Sequence, residues 1–392
     1  MSRLLPLSRR SMATMLLAGT SLAIVAGSVE PAQADGSVNV YTYREPGLIK
    51  PLFDEFTSQT GIEVNVIFAK DGLEQRIKAE GDNSPADVLL TVDIARLQEA
   101  VDIGVTQPVD SEVLESTVPA DLRDPDGHWH GVSMRARVVY ASKERVEQDT
   151  ITYEELADPK WQGRVCIRSG QHIYNNALFA AFLAHHGEEK TKTWLEGLKA
   201  NLAKKPSGGD RDVAKDIAAG VCDVGIGNTY YVGLMQNGDA EQQAWAEGMK
   251  VIMPTFEDGG THINISGVVL AKNAPNRDNA VTLMEWLVSD ETQRHYASMN
   301  YEYPVKDGVE VDPTVAAWGE LDPDPLALSE IAANKKKAAE IARMAGIARG
   351  SRGARSCGRN SDPRTIGPAT SCGKNEIYRN RSSGDVTGFP TG

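Results

Sequence analysis

The chain has 392 residues, 41% of them hydrophobic and 24% charged, with 54 Asp and Glu against 41 Lys and Arg, for a formal net charge of -13. That is an ordinary globular composition with enough chain for two cores. The charge is uneven: residues 1–34 carry a net +2, residues 347–392 a net +5, and the residues between about -20. So acidic a body argues against nucleic-acid and anionic-membrane partners and suits cations or small solutes.

Arg3, Arg9 and Arg10 precede an apolar run from Met12 to Ala26, followed by Ala32-Gln33-Ala34, a small-x-small pattern. This reads as a cleavable export signal with the mature chain starting at Asp35 outside the cytoplasm. Ser8-Arg9-Arg10-Ser11 fits a twin-arginine signal, and a general secretory signal with two chance arginines fits as well. The apolar run is short and polar-interrupted, so a membrane anchor is not expected.

Strand and helix then alternate. Val38–Tyr43 reads as a strand, Pro46–Phe56 as a helix with Leu48, Ile49, Leu52, Phe53 and Phe56 on one face, and Ile62–Phe68 as a strand. Leu73–Ala79 is a helix and Ala86–Val92 a buried strand, a βαβαβ order that predicts a mostly parallel sheet. After the turn at Pro125-Asp126-Gly127, strands are predicted from Val138 and over Arg164–Ile167. Helices follow over Asn176–His185, Lys190–Leu202 and Val213–Ala219, then a strand over Val221–Ile226. Ile263–Leu270 is the clearest β-run, followed by a helix over Arg277–Val288. Two α/β lobes, with the chain crossing between them more than once, fit this better than one long sheet. Residues 347–392 have Gly, Pro and Ser at 17 of 46 positions and no apolar periodicity, and read as a disordered basic tail. A basic interaction arm or non-native sequence are the other readings.

One spacing repeats. Cys166 precedes Tyr174 by eight residues, and Cys222 precedes Tyr230 by eight, with Tyr231 adjacent. Each cysteine falls in a predicted strand and each tyrosine in the polar loop after it, where open α/β sheets place ligand crevices. Three phenolates are hard anionic donors suited to Fe3+, which would drive their deprotonation despite a free pKa near 10. The alternative is that the tyrosines pack at a helix start, with Asn228 or Thr229 capping. In an exported protein Cys166 and Cys222 fit a disulfide tying the two strands together; two buried thiols are the other reading.

The histidines say less. His128 and His130 flank Trp129 on alternate positions but lack an accompanying ligand pattern. His172 lies two residues before Tyr174, and His185-His186 reads as a helix end meeting solvent. Lys335-Lys336-Lys337 reads as a solvated helix face. Tyr43-Arg44-Glu45-Pro46 falls where the first strand meets a helix N-terminus, where Arg44 suits a carbonate-like anion. No nucleophile elbow, phosphate loop, H-E-x-x-H or dinucleotide fingerprint stands in its required context.

Several motifs together resemble the ferric-iron-binding periplasmic proteins of ABC importers: Val40–Pro46, Ser84–Asp93, Arg135–Val138, Gly227–Tyr231, Gly260–Val268 and Tyr301–Val305. The resemblance spans about residues 37–340. It implies an α/β, two-lobed type II periplasmic binding fold with hinge-crossing strands. The lobes would be 35–134 plus about 263–300, and 135–262 plus about 301–346. It further implies Tyr174, Tyr230 and Tyr231 as Fe3+ ligands. Arg44 and Arg135 would hold a synergistic anion such as carbonate, in a non-enzymatic monomer that delivers iron to an inner-membrane ABC permease. Tyr43, Glu45 and His172 are further candidates, since Glu45-Pro46 stands where some members have His-Tyr. A phosphate or polyamine receptor on the same fold, and a secreted iron–tyrosinate enzyme, are the alternatives.

Overall fold

The chain opens with β1 (Ser37–Thr42), α1 (Pro46–Thr60), β2 (Glu63–Phe68), α2 (Leu73–Glu80), β3 (Val88–Thr91) and α3 (Ile94–Asp102), with β1 parallel to both β2 and β3. This computed structural model describes residues 36–347 and the backbone of Ile377–Tyr378. The expected export signal, and nearly all of the expected tail, lie outside the described residues.

Local chemistry sets the α1 boundaries. Pro46 starts it, Ile49, Leu52, Phe53 and Phe56 recur on its buried face, and Gly61, at φ 75°, ends it by donating its N–H to Thr57 O. The fully buried β3 is apolar up to Thr91, as expected of a strand covered on both faces.

After β4 (Thr106–Gln107) and α4 (Glu112–Thr117), the 14-residue strand β5 (Trp129–Ser142) leads out of this first sheet. Next come β6 (Val165–Cys166), α5 (Ile173–Ala200), α6 (Asp210–Ala218), β7 (Val224–Asn228), α7 (Thr229–Gln236), α8 (Ala240–Glu247) and β8 (Met249–Ile252). Strand β9 (Ile263–Ala271) returns to the first sheet, followed by α9 (Arg277–Leu287), α10 (Asp290–Asn300), α11 (Pro313–Ala316) and α12 (Leu328–Met344). Among the described residues no helix is long and apolar enough to cross a membrane.

Strand β5 belongs to two sheets. Trp129–Ala136 pairs antiparallel with β9, whose other edge pairs with β3, whereas Arg137–Ala141 pairs with β7 and Val139–Ser142 with β8. The partner changes between Ala136 and Arg137, and the chain returns at His262, whose carbonyl accepts from Arg137 N. Helix α12 packs against α3 of the first sheet and α5 of the second. The edge strand β2 pairs antiparallel with Ile377–Tyr378.

Three elements differ from expectation. Strand β5 begins at Trp129 rather than Val138, because the residues before Val138 include His130, Ser133, Arg135 and Arg137 as buried polar groups that break the apolar signature. The two helices expected over 176–202 form one element from Ile173, interrupted by Gly187 at φ 75° and ψ 174°, a conformation glycine adopts without strain. The strand expected at Val221 begins at Val224, so Cys222 precedes it.

The apolar interior is one large cluster plus a smaller one, in which Ala136, Val138 and Tyr140 of β5 pack on Cys166, Val213, Ile217 and Cys222. Cys166 and Cys222 are disulfide-bonded across 56 residues of sequence. Chain-entropy reasoning puts the constraint from a loop of that length at about 4 kcal/mol. Replacing both cysteines by serine is therefore expected to lower unfolding stability by roughly 2–5 kcal/mol, read as a fall in urea midpoint with a somewhat steeper slope, because the unfolded chain is released.

Candidate metal centre

Tyr174, Tyr230 and Tyr231 sit in the first turns of two helices, not in loops. Helix α5 begins at Ile173, capped by His172, whose Nδ1 accepts from Tyr174 N at 3.3 Å. Helix α7 begins at Thr229 directly after β7. The Gly-x-Gly ending of β7 is a packing requirement: a Cβ on Gly227 would fall 2.1 Å from the Tyr140 ring, and one on Gly225 would meet Val213 and the Cys166 carbonyl. With both positions bare, β7 lies close against β5 and β6 and points α7 at the cleft.

The three rings converge. Tyr230 OH donates to the Tyr174 hydroxyl oxygen at 3.2 Å, and the rings of Tyr230 and Tyr231 lie 4.3 Å apart. They line a cleft of about 570 Å³ with Arg168 and His172 on the same side and Tyr43, Arg44, Glu45 and Arg96 opposite. Helix α1 also begins at this cleft, just after Glu45. Three helix N-termini thus point their positive ends toward the phenols.

A buried carboxylate holds the tyrosine side together. Asp210, the first residue of α6, accepts from Arg137 Nη1 at 2.6 Å, Arg168 Nη1 at 3.2 Å and the backbone N–H of Asn228 at 3.0 Å. Arg137 also donates to Asn175 and Asn228, so β5, α5, β7 and α6 meet at one network. Burial alone would raise the Asp210 carboxyl, but Arg137 and Arg168 hold it below its ordinary value.

Across the cleft, Arg44 is almost fully buried and pairs with Glu302 at 2.8 Å, and Glu302 also accepts from Ser133 Oγ at 2.6 Å. Arg44 and Arg135 each donate to Ser266 Oγ, at 3.3 and 3.2 Å. Arg44 Nε and Nη2 and Arg135 Nη2 have no protein partner. Arg135 does not line the main cleft; it borders a small space shared with Tyr174 and lies 5.9 Å from that ring's centre. Two guanidinium groups with N–H donors to spare therefore converge near the phenols, as an oxyanion would require.

The further candidates fare differently. The Tyr43 hydroxyl is bound to the Glu74 carboxylate and accepts from Leu73 N at 2.6 Å, while Arg96 stacks 3.5 Å over its ring, so its oxygen is engaged away from the other phenols. Glu45 is exposed on the cleft wall; the partner of Arg44 is Glu302. His172 spends Nδ1 on the helix cap, and burial, aided by Arg168, pushes its pKa down to about 3. His128 bonds Thr106 at 2.8 Å and His130 is buried in β5, with no third ligand joining them among the described residues. His185 and His186 do not simply face solvent but pair with Asp258, Asp324 and Glu154.

Burial raises the Tyr230 and Tyr231 phenols well above their ordinary value, with the neighbouring Tyr174 adding to the effect. Without a cation these two hold their protons at neutral pH. Sequence reading missed Arg168, Arg137, Asp210 and Glu302. Arg137 alone carried a signal, since alternate positions on a strand put it on the same face as Arg135.

Residues 83–321 match the family described as bacterial extracellular solute-binding protein, and the chain belongs to it. A curated relative, "Iron uptake protein A1" of Synechocystis, is 46% identical over 79% of this chain and 87% of its own. Among solved structures, a "Bordetella ferric binding protein" is 53% identical with a TM-score of 0.75, covering 80% of this chain and all of that one. A Trichodesmium protein solved "in complex with iron and citrate ligands" is 39% identical with a TM-score of 0.75, covering 79% of this chain and 99% of that one. The solved relatives are two-lobed type II periplasmic binding proteins, and the α/β architecture with its lobe-crossing strands is theirs.

Removing the charge at Asp210 would leave two buried arginines without their shared partner. Asp210→Asn is expected to cost about 3–5 kcal/mol at pH 7, measured by urea unfolding. Because the folded carboxyl titrates below its unfolded value, its contribution is complete above about pH 4 and lost as pH falls through the lowered value. The gap between wild type and variant should therefore close in acid.

Proposed function

We propose that the protein is a periplasmic receptor that captures Fe3+ and hands it to an inner-membrane ABC permease. Tyr174, Tyr230 and Tyr231 would be the ligands, and Arg44 and Arg135 would hold a synergistic anion. The observation that carries this reading is the convergence of three phenol oxygens with partnerless guanidinium N–H groups in one cleft. The Tyr230 and Tyr231 phenols, which burial keeps protonated, need a strong Lewis acid to ionise, and Fe3+ supplies it. Three phenolates balance the metal's charge, while carbonate, citrate or a similar anion on the arginines fills the remaining coordination. The iron-binding relatives support the same cargo.

The lobes would be residues 35–134 with about 263–300, and 135–262 with about 301–346, closing about the β5 and β9 crossings. The change of strand partner between Ala136 and Arg137 supports that division. A receptor acting as a monomer needs no further chemistry. Arg44, Arg96 and Arg168 along the cleft disfavour a polyamine. A phosphate receptor would use the arginines but leave the three phenols without a role.

Protein loaded with ferric citrate and bicarbonate is expected to show the visible charge-transfer band of iron–phenolate bonds. Tyr230→Phe should weaken iron binding at least about tenfold, or 1.4 kcal/mol, and reduce that band. Affinity should fall as pH falls, because each phenolate must exchange its metal bond for a proton. A colourless protein, or one that phosphate stabilises more than iron does in thermal unfolding, would overturn the reading.

A further inference from the structure

We propose that His186, Glu154 and Asp258, with His185 beside them, form a second metal site, for a divalent ion of the zinc class, on the tyrosine-bearing lobe and separate from the cleft. The two histidines are the last residues before Gly187 breaks α5, in a helix whose first turn carries Tyr174. Eleven residues of helix separate them from that tyrosine, about 16 Å along the axis. Glu154 opens a short 3-10 turn, and Asp258 lies in the connection between β8 and β9.

His186 Nε2 is 2.5 Å from Glu154 Oε1, and the potential ligand atoms of Glu154, His186 and Asp258 all lie within 4.8 Å of one another. Glu154 Oε2 is buried without a partner. His185 sits between two carboxylates, with Nε2 2.9 Å from Asp324 Oδ2 and Nδ1 3.1 Å from Asp258 Oδ1. In its neutral form an imidazole has one N–H for these two acceptors, so in that form one nitrogen lone pair faces a carboxylate oxygen.

Burial decides which nitrogen keeps the proton. The Asp324 side chain is 3% exposed and has its other oxygen unpartnered, whereas Asp258 is 57% exposed. The costlier carboxylate to leave unpaired takes Nε2–H, and Nδ1 is left facing Asp258. A carboxylate orienting a histidine whose other nitrogen binds metal is the usual outer shell of zinc sites.

His186, Glu154 and Asp258 make a three-donor set of the kind zinc accepts together with water, with bonds of about 2.0–2.2 Å, and His185 Nδ1 stands beside Asp258. The rings are already braced: His185 stacks on Phe256 at 4.3 Å and His186 packs on Phe182 at 4.4 Å. Exposed Asp258 leaves an entry path. A bound ion would fasten α5 to the segment that feeds β9, where Thr261 N donates to Asp322 O at 2.7 Å and Asp324 N donates to Thr261 O at 2.9 Å.

The test is calorimetric titration of Zn2+ into tag-free, chelator-treated protein, with Co2+ absorption as a second readout. One zinc site is expected, with a ligand-field band when Co2+ replaces it. Asp258→Asn and His186→Gln should each weaken zinc at least tenfold and remove the cobalt band. Tyr230→Phe in the cleft, and His295→Gln in the separate Glu55–Glu291–His295 group, should leave both unchanged. Asp258→Asn should still develop the iron-dependent colour of wild type, which shows that it folds. Zinc binding lost in Tyr230→Phe or His295→Gln, retained in a variant combining Asp258→Asn with His186→Gln, or absent at about 0.1 mM zinc would overturn the proposal.

Discussion

The candidate site depends on one buried carboxylate. Asp210 neutralises Arg137 and Arg168 and accepts the Asn228 N–H immediately before α7. Arg137 lies on the strand that crosses between sheets, Arg168 on the segment leading to α5, and Asn228 beside Tyr230. Were the carboxylate absent, two guanidinium groups would remain buried beside the phenols without compensation, which is far costlier than never having formed the pair. The network thus sets the distance between the two helix starts, and with it the 3.2 Å between Tyr230 and Tyr174.

Around that anchor the cleft is electropositive although the protein is strongly acidic. Three helix N-termini, Arg168 and the spare donors of Arg44 and Arg135 all favour negative charge at the centre. Burial opposes it by keeping phenols neutral. The two effects act in opposite directions at the same phenols.

The two sheets share β5 and communicate through it. Residues 129–136 serve one sheet and 137–142 the other, so Arg135 and Arg137 sit on either side of the change of partner. Glu302 closes the arrangement from the far end of the chain by holding Arg44 and Ser133, while Tyr303 exchanges backbone hydrogen bonds with Met134. The cleft is therefore assembled from segments more than two hundred residues apart.

What the sequence determined by itself is what local patterning can encode. The apolar face of α1, the buried run of β3 and the long β-run of β9 are legible because periodicity follows directly from which face is covered. The tyrosine spacing was legible too, and the motifs that accompany it carry the resemblance to ferric-iron-binding proteins. Tertiary structure decided the rest. The stretch of β5 before Val138 reads as polar because its arginines and Ser133 find their partners in α5, α6, β7, β9 and the 301–303 segment. The tyrosines sit in helix first turns because Gly225 and Gly227 let β7 approach Tyr140. Tyr43 passes from candidate to bystander because Glu74 takes its hydroxyl. In each case the deciding partner is distant in sequence, and a buried polar group is defined by its partner rather than by its neighbours in the chain.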